Sequence, residues 1–235
     1  MRYCIWLSIA VLCWHCQSND KPLVIWGERE TIEREENGQK IIDTLYHTIP
    51  DFKFVNQYGD TITQEFVKGK IYVADFFFTS CPTICPVMKK QMLRVYNEFK
   101  DNPEVVLLSH TIDPEHDTPA VLKKYAEDLG VKGNQWQFLT GKKEDIYKIA
   151  ESYLIPPQGL PQEDSTAAGG FIHDGSFILI DKQKRVRGTN RPYEVIDENG
   201  IKTLNYRYDG TKGKGVDLLI EDIKILLKEG KSVGQ

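Results

Sequence analysis

Apolar residues come in blocks along this chain, and the period inside each block assigns it to a strand or a helix. IYVADFFF, residues 71–78, is an almost unbroken apolar run, the pattern of a strand covered on both faces. Downstream, Ile84, Met88, Met92, Val95 and Phe99 recur at spacings of three and four, which predicts a helix with one apolar face. Lys89, Lys90, Arg94 and Lys100 are assigned to its other faces, and the methionines, at helical spacing, to the core rather than to a metal-binding box. VVLLSHTI (105–112) is the next buried strand. After Asp113-Pro114, a helix start is marked by Thr118 as N-cap and Pro119 in the first turn, with Gly130 as the stop. A strand near WQFLTG, a helix through Ile146, Ile149 and Tyr153, and the strand SFILID continue the alternation. Val216, Leu219, Ile220, Ile223 and Leu227 share one face of a C-terminal helix. Upstream, FKFVNQYGDTIT reads as a hairpin around Asn56 to Gly59.

This β-α-β-α order predicts an α/β domain over 46–230, in three layers, with a mostly parallel central sheet and an N-terminal hairpin. There is no internal repeat and no glycine-rich phosphate loop. Residues 20–45, with the charged run GERETIEREENGQK, read as a solvated tether ahead of the folded body, which begins near Ile49-Pro50-Asp51-Phe52. The stretch 187–215, RGTNRPYEVIDENGIKTLNYRYDGTKGKG, is long for a connection and reads as an added hairpin turning at Glu198-Asn199-Gly200.

The N-terminus has a pattern of its own. In MRYCIWLSIAVLCWHCQSND, Arg2 precedes an apolar run from Cys4 to Trp14 that gives way abruptly to polar residues, as in an export signal over residues 1–19. Cys16 sits at that boundary and resembles the acylated cysteine of bacterial lipoproteins, although Cys13, Trp14 and His15 stand where that motif has small residues. A cleaved signal and an uncleaved anchor are the alternatives. Elsewhere no stretch approaches the ~20 apolar residues of a membrane span. Export implies an oxidising compartment.

Composition narrows the partners. A chain of 235 residues with 40% apolar residues suffices for one packed domain. A net charge of -4 with both signs interleaved gives no basic stripe, which argues against nucleic acid.

Of the five cysteines, Cys4, Cys13 and Cys16 belong to the N-terminal segment, so the exported domain carries two, Cys81 and Cys85. In TSCPTICPVMKK they fall where a strand gives way to a helix, with Cys81 on the loop and Cys85 at or just inside the first turn. Unpaired N–H groups and the positive end of the helix dipole favour thiolate there. Residues four apart at a helix start have Cα atoms roughly 6 Å apart, close enough for a disulfide or for one shared ion. A redox pair and a metal clamp are both open on this spacing. Two thiolates point to Cu(I), Zn(II) or iron–sulfur, and iron–sulfur clusters ordinarily take four cysteines. A metal site needs a further ligand. His15 and His47 lie ahead of the domain proper, His110 is inside a strand and reads as core, and His116 is in a polar loop. His173, after the Pro/Gly-rich PPQGLPQEDSTAAGG and before an apolar strand, is the candidate, against the default of a structural histidine.

Strand-CPTICP-helix, the segment SHTIDPEHDTPAVLKKYAEDLG, the FLTG turn and a histidine ahead of SFILID together resemble the Sco family (also called SenC or PrrC), from about residue 49 to 190. The resemblance implies a thioredoxin-like fold and a membrane-anchored copper chaperone of cytochrome c oxidase assembly. It implies that Cys81, Cys85 and His173 bind copper and that Asp113 lies near the site. It also implies a place on the periplasmic side of the bacterial cell envelope. Two thiolates and a neutral imidazole suit Cu(I), and the nitrogen makes Cu(II) tolerable. The implied partner is the copper-containing subunit of cytochrome c oxidase or another copper-accepting protein. The chain departs from the family's pattern at Ile172 and Asp174, which flank His173, and at His116, where an arginine is usual. The rival reading is a thiol–disulfide oxidoreductase that reduces the cysteines of the oxidase copper site.

Overall fold

Every residue from Ile71 to Phe77 is buried, and so is every residue from Val105 to Thr111, which places these two strands at the centre of the molecule. The computed structural model describes residues 21–155, 175–196 and 200–232. The expected N-terminal signal with Cys16, the stretch that holds His173 and the expected turn at Glu198-Asn199 lie outside the described residues. In chain order the strands are β1 (Val24–Ile25), β2 (Arg29–Glu36), β3 (Gln39–Tyr46), β4 (Lys53–Asn56), β5 (Thr61–Thr63), β6 (Ile71–Phe77), β7 (Val105–Thr111), β8 (Trp136–Thr140), β9 (Ser176–Ile180), β10 (Val186–Gly188), β11 (Tyr193–Ile196), β12 (Lys202–Asn205) and β13 (Tyr208–Asp209). The helices are α1 (Gln64–Val67), α2 (Ile84–Phe99), α3 (Pro119–Asp128), α4 (Lys143–Ser152) and α5 (Gly213–Ser232).

The main sheet runs β1-β10-β9-β6-β7-β8-β4-β5, with β13 on β9. Only β6–β7 and β7–β8 are parallel; β9 pairs β6 antiparallel, as do the outer strands with their neighbours. The expected α/β layering holds, but parallel pairing is confined to three strands. The reason the sequence did not disclose this is that a strand buried on both faces has the same apolar pattern in either direction. α2 and α3 cover one face, where Lys89 of α2 and Tyr125 of α3 both meet the Phe77 ring. Tyr125 of α3 stacks on Phe77 there, and α5 lies against α2. On the opposite face Tyr153, at the end of α4, meets Phe76 and His110.

Local chemistry sets the element ends. The side chain of Asn56 accepts from the N–H groups of Tyr58 (2.9 Å) and Asp60 (2.8 Å), closing the β4–β5 turn as expected. Thr118 accepts from Val121 N–H at the start of α3. Gly130, at φ +75°, ends it: Val131 N–H reaches Ala126 O (3.0 Å) and Gly130 N–H reaches Glu127 O (2.9 Å), the paired bonds of a glycine-capped helix end.

The 20–45 stretch differs from a tether. β1 joins the sheet edge, where Val24 pairs with Gly188 and Leu23 is buried. β2 and β3 form a regular hairpin from Arg29↔Tyr46 to Glu36↔Gln39, turning at Asn37 (φ 52°) and Gly38 (φ 75°). Two successive positive φ values are the mark of the tight hairpin turn that Asn-Gly favours. The hairpin stays solvated, with all of β2 exposed. The 187–215 stretch is likewise only partly an insertion: β10 and β13 belong to the main sheet, and β11–β12 is the separate hairpin. Among the described residues no helix is long and apolar enough to cross a membrane.

Candidate functional site

β6 delivers the chain to the C-terminal end of the parallel strands, and α2 takes it away from there. Residues 78–83 bridge the two. Cys81 lies on this bridge, its N–H bonded to Phe78 O at 3.2 Å, and Cys85 is the second residue of α2. Both are free thiols and both are buried, at 6% and 3% exposure. Their ionisation is unequal. Burial pushes the Cys81 thiol up, but hydrogen bonds with Cys85 and Thr83 outweigh it and leave Cys81 below the ordinary thiol value. Burial, reinforced by the Cys81 hydrogen bond, pushes Cys85 up to about 12, and a backbone hydrogen bond with Phe78 and the charge of Lys89 only partly offset this. The helix start therefore favours thiolate at one cysteine, not at both.

A lower thiol pKa means a larger thiolate fraction at neutral pH, and the thiolate is the nucleophile. Iodoacetamide added to the reduced protein at neutral pH is therefore expected to label Cys81 first, with Cys85 reacting appreciably only after unfolding. Peptide mass spectrometry of time points between pH 6 and 10 reads the order; faster labelling of Cys85 would contradict this geometry.

The side chain beneath Cys85 overturns the sequence reading. Lys89, assigned to a polar face, is 1% exposed. Its ammonium donates to Asp75 Oδ2 (2.7 Å) and Ser109 Oγ (2.8 Å) and lies 4.0 Å from the centre of the Phe77 ring. Ser109 Oγ in turn donates to Asp75 Oδ1 at 2.5 Å and accepts from Trp136 Nε1 at 2.9 Å. Burial pulls the lysine below its ordinary pKa against the opposing charge of Asp75. An ion pair thus lies in the core one helical turn from Cys85.

A second carboxylate holds the cysteine loop. Asp117, 0% exposed, accepts from Thr79 N–H (3.0 Å), Thr111 Oγ1 (2.5 Å), the Thr79 hydroxyl and His116 Nδ1 (2.9 Å). It ties the end of β6 to the end of β7 and to the DPEHDTP turn. That turn is closed by Asp117 N–H on Asp113 O at 2.8 Å. Asp113, the aspartate that the resemblance implied, enters through its backbone N–H on Thr111 Oγ1 (3.0 Å) and through its charge on His116. The carboxylate against the cysteine loop is that of Asp117.

Of the histidines, His110 is core, as read. It is stacked on Phe76 at 5.2 Å and edge-on to Phe54 at 5.0 Å, and burial pushes its pKa down to about 3, so the ring is neutral. His173 lies outside the described residues. Among those described, no three His, Cys, Asp or Glu side chains are grouped to hold an ion.

Residues 43–206 match the SCO1/SenC family. The SCO1 protein homolog of Bacillus subtilis (strain 168) is 33% identical over 193 residues, covering 80% of this chain and 86% of that protein. The solved structure of BsSco, in which a disulfide switch was identified and which is described as a member of the Sco family of cytochrome c oxidase assembly proteins, matches with a TM-score of 0.57. Its identity is 30%, over 77% of this chain and 94% of that one. The structure of Bradyrhizobium japonicum ScoI with copper bound matches with a TM-score of 0.54 at 21% identity, over 76% of this chain and 99% of that one, a likeness of fold. The frame is thus the thioredoxin-like α/β fold of these neighbours.

Proposed function

The chain belongs to the SCO1/SenC family, and from that premise we propose that it is an exported, membrane-anchored metallochaperone. It binds one copper ion through Cys81, Cys85 and His173 and hands it to the copper-containing subunit of cytochrome c oxidase or to another copper-accepting protein. The observation that carries this is the pair of free, buried thiols where β6 gives way to α2. Soft sulfur donors select Cu(I), and a third nitrogen ligand leaves the ion accessible on one side. His173 as that ligand is supported by the register of β9. It runs antiparallel to β6 with Ala74 opposite Ile178, so the chain enters β9 at the end of the sheet that carries the cysteines.

In the proposed cycle, copper(I) displaces the thiol protons to solvent as two Cu–S bonds form. A partner's ligand then adds to the ion before a Cu–S bond breaks, and no electron is exchanged. The anchor rests on the polar boundary at Cys16 and places the domain on the periplasmic side of the bacterial envelope.

The unequal ionisation of the thiols favours a second activity at the same residues. A Cys81 thiolate attacks a partner disulfide, forming a mixed disulfide and releasing one partner thiolate. Cys85, once deprotonated, attacks Cys81 Sγ and releases the other; the partner gains two electrons and the pair becomes a disulfide.

His173→Ala separates the two readings, because thiol–disulfide exchange needs no imidazole while a Cys₂His site does. The variant is expected to lose Cu(II) binding and to bind Cu(I) more weakly, with dithiol–disulfide cycling intact. If cells carrying it fail to assemble cytochrome c oxidase, metal handling is the essential task. Normal assembly with copper binding lost would put the reductase reading in its place.

A further inference from the structure

The turn ahead of α3 carries an imidazole that the cycle above does not use. His116 has a side-chain exposure of 56%, and its Nδ1 lies 2.9 Å from Oδ1 of Asp117, whose carboxylate is buried. A ring nitrogen facing a carboxylate oxygen acts as the donor, so in the neutral ring the proton sits on Nδ1 and the lone pair on Nε2. A carboxylate on the far nitrogen is the arrangement that fixes the tautomer and direction of metal-binding histidines.

The same carboxylate grips the start of the cysteine loop. Thr79 N–H donates to Asp117 Oδ2 at 3.0 Å, and the Thr79 hydroxyl lies 3.4 Å from His116 Nδ1. Thr79 precedes Cys81 by two residues, a backbone span of at most ~7 Å. The imidazole and the cysteine loop are therefore held to one anchor, with the ring on the solvent side and the thiols on the buried side. His116 is not grouped with the cysteines as a standing third ligand. Its geometry suits a donor used in passing.

Resting on the copper reading above, we propose that Nε2 of His116 is a transfer ligand for copper(I), holding the ion on its way between solvent-side donors and the Cys81 thiolate. Each step is a ligand exchange: a Cu–N bond forms as a donor's bond breaks, then a Cu–S bond forms as the Cu–N bond breaks. The oxidation state is unchanged, and the only proton released is that of a thiol.

Stopped-flow removal of Cu(I) from the reduced, singly loaded protein by bicinchoninate tests this in wild type, His116→Ala and His116→Asn. Asparagine retains an N–H for Asp117 but offers no ring nitrogen. Both variants are expected to keep one Cu(I) per chain and to exchange it about tenfold more slowly. If His116→Asn exchanges at the wild-type rate, the histidine serves only to hold Asp117 and the transfer role is refuted. If wild type itself binds no Cu(I), the copper reading falls and takes this one with it. Should the variants fold poorly, the 15N resonance of His116 Nε2 decides: on adding Cu(I) to Cys81→Ser/Cys85→Ser protein it should shift, and a fixed resonance would refute the role.

Discussion

Lys89→Ala is expected to destabilise the domain by about 3–5 kcal/mol, the usual cost of removing one partner of a buried ion pair. Asp75 is 0% exposed and loses its cation, and Ser109 Oγ loses a donor. The ammonium also lies over the rings of Phe77, Trp136 and Phe138, contacts that alanine gives up. Lys90→Ala, one residue along and exposed, is expected to stay within about 0.5 kcal/mol of wild type. The double variant Lys89→Met/Asp75→Asn should recover most of the loss, because neutralising both partners leaves no unpaired charge. Urea unfolding of the four proteins reads the differences. A cost below about 1 kcal/mol for Lys89→Ala would mean that the ammonium reaches water and the pair is not buried.

Replacing the thiols is expected to have the largest functional effect. Serine is nearly the size of cysteine and the fold described here is formed with both thiols unbonded, so Cys81→Ser and Cys85→Ser should fold. Each removes a soft donor, and the affinity for Cu(I) should fall by more than the roughly 10–100-fold typical of losing an outer-shell partner. The double variant should retain no ion at this site. Oxidation of the wild-type pair is expected to act like the double variant, because a disulfide leaves neither sulfur as a thiolate.

Much of this site can be read from residue order. The run IYVADFFF, the spacing of Ile84, Met88, Met92, Val95 and Phe99, and the Thr118-Pro119 start are local signals, and the elements they predict are present. So is the placement of Cys81 on the loop and Cys85 within the first turn of α2. Lys89 was misplaced for an instructive reason. Its position, four after Cys85 and three before Met92, lies on the stripe of Cys85, Met88, Met92, Val95, Tyr96 and Phe99 that α2 buries. Periodicity put it inside, and charge type alone argued for outside. Its partner, Asp75, stands in the apolar run of β6, where an ionised side chain needs a cation.

Asn37-Gly38 is a hairpin signal between ETIEREE and QKIIDTL, masked by the density of charge around it. Two features are not local. The antiparallel direction of β9 depends on where the chain returns to the sheet. The choice of Asp117 over Asp113 depends on how the DPEHDTP turn closes against Thr79 and Thr111.

Anaerobic titration of the protein with Cu(I), before and after oxidation of Cys81 and Cys85 to the disulfide, tests the central claim most directly. The reduced protein should bind one ion per chain and the oxidised protein none. Retention of one ion with undiminished affinity after oxidation, or the absence of binding by the reduced protein, would contradict the assignment of this pair as the copper site.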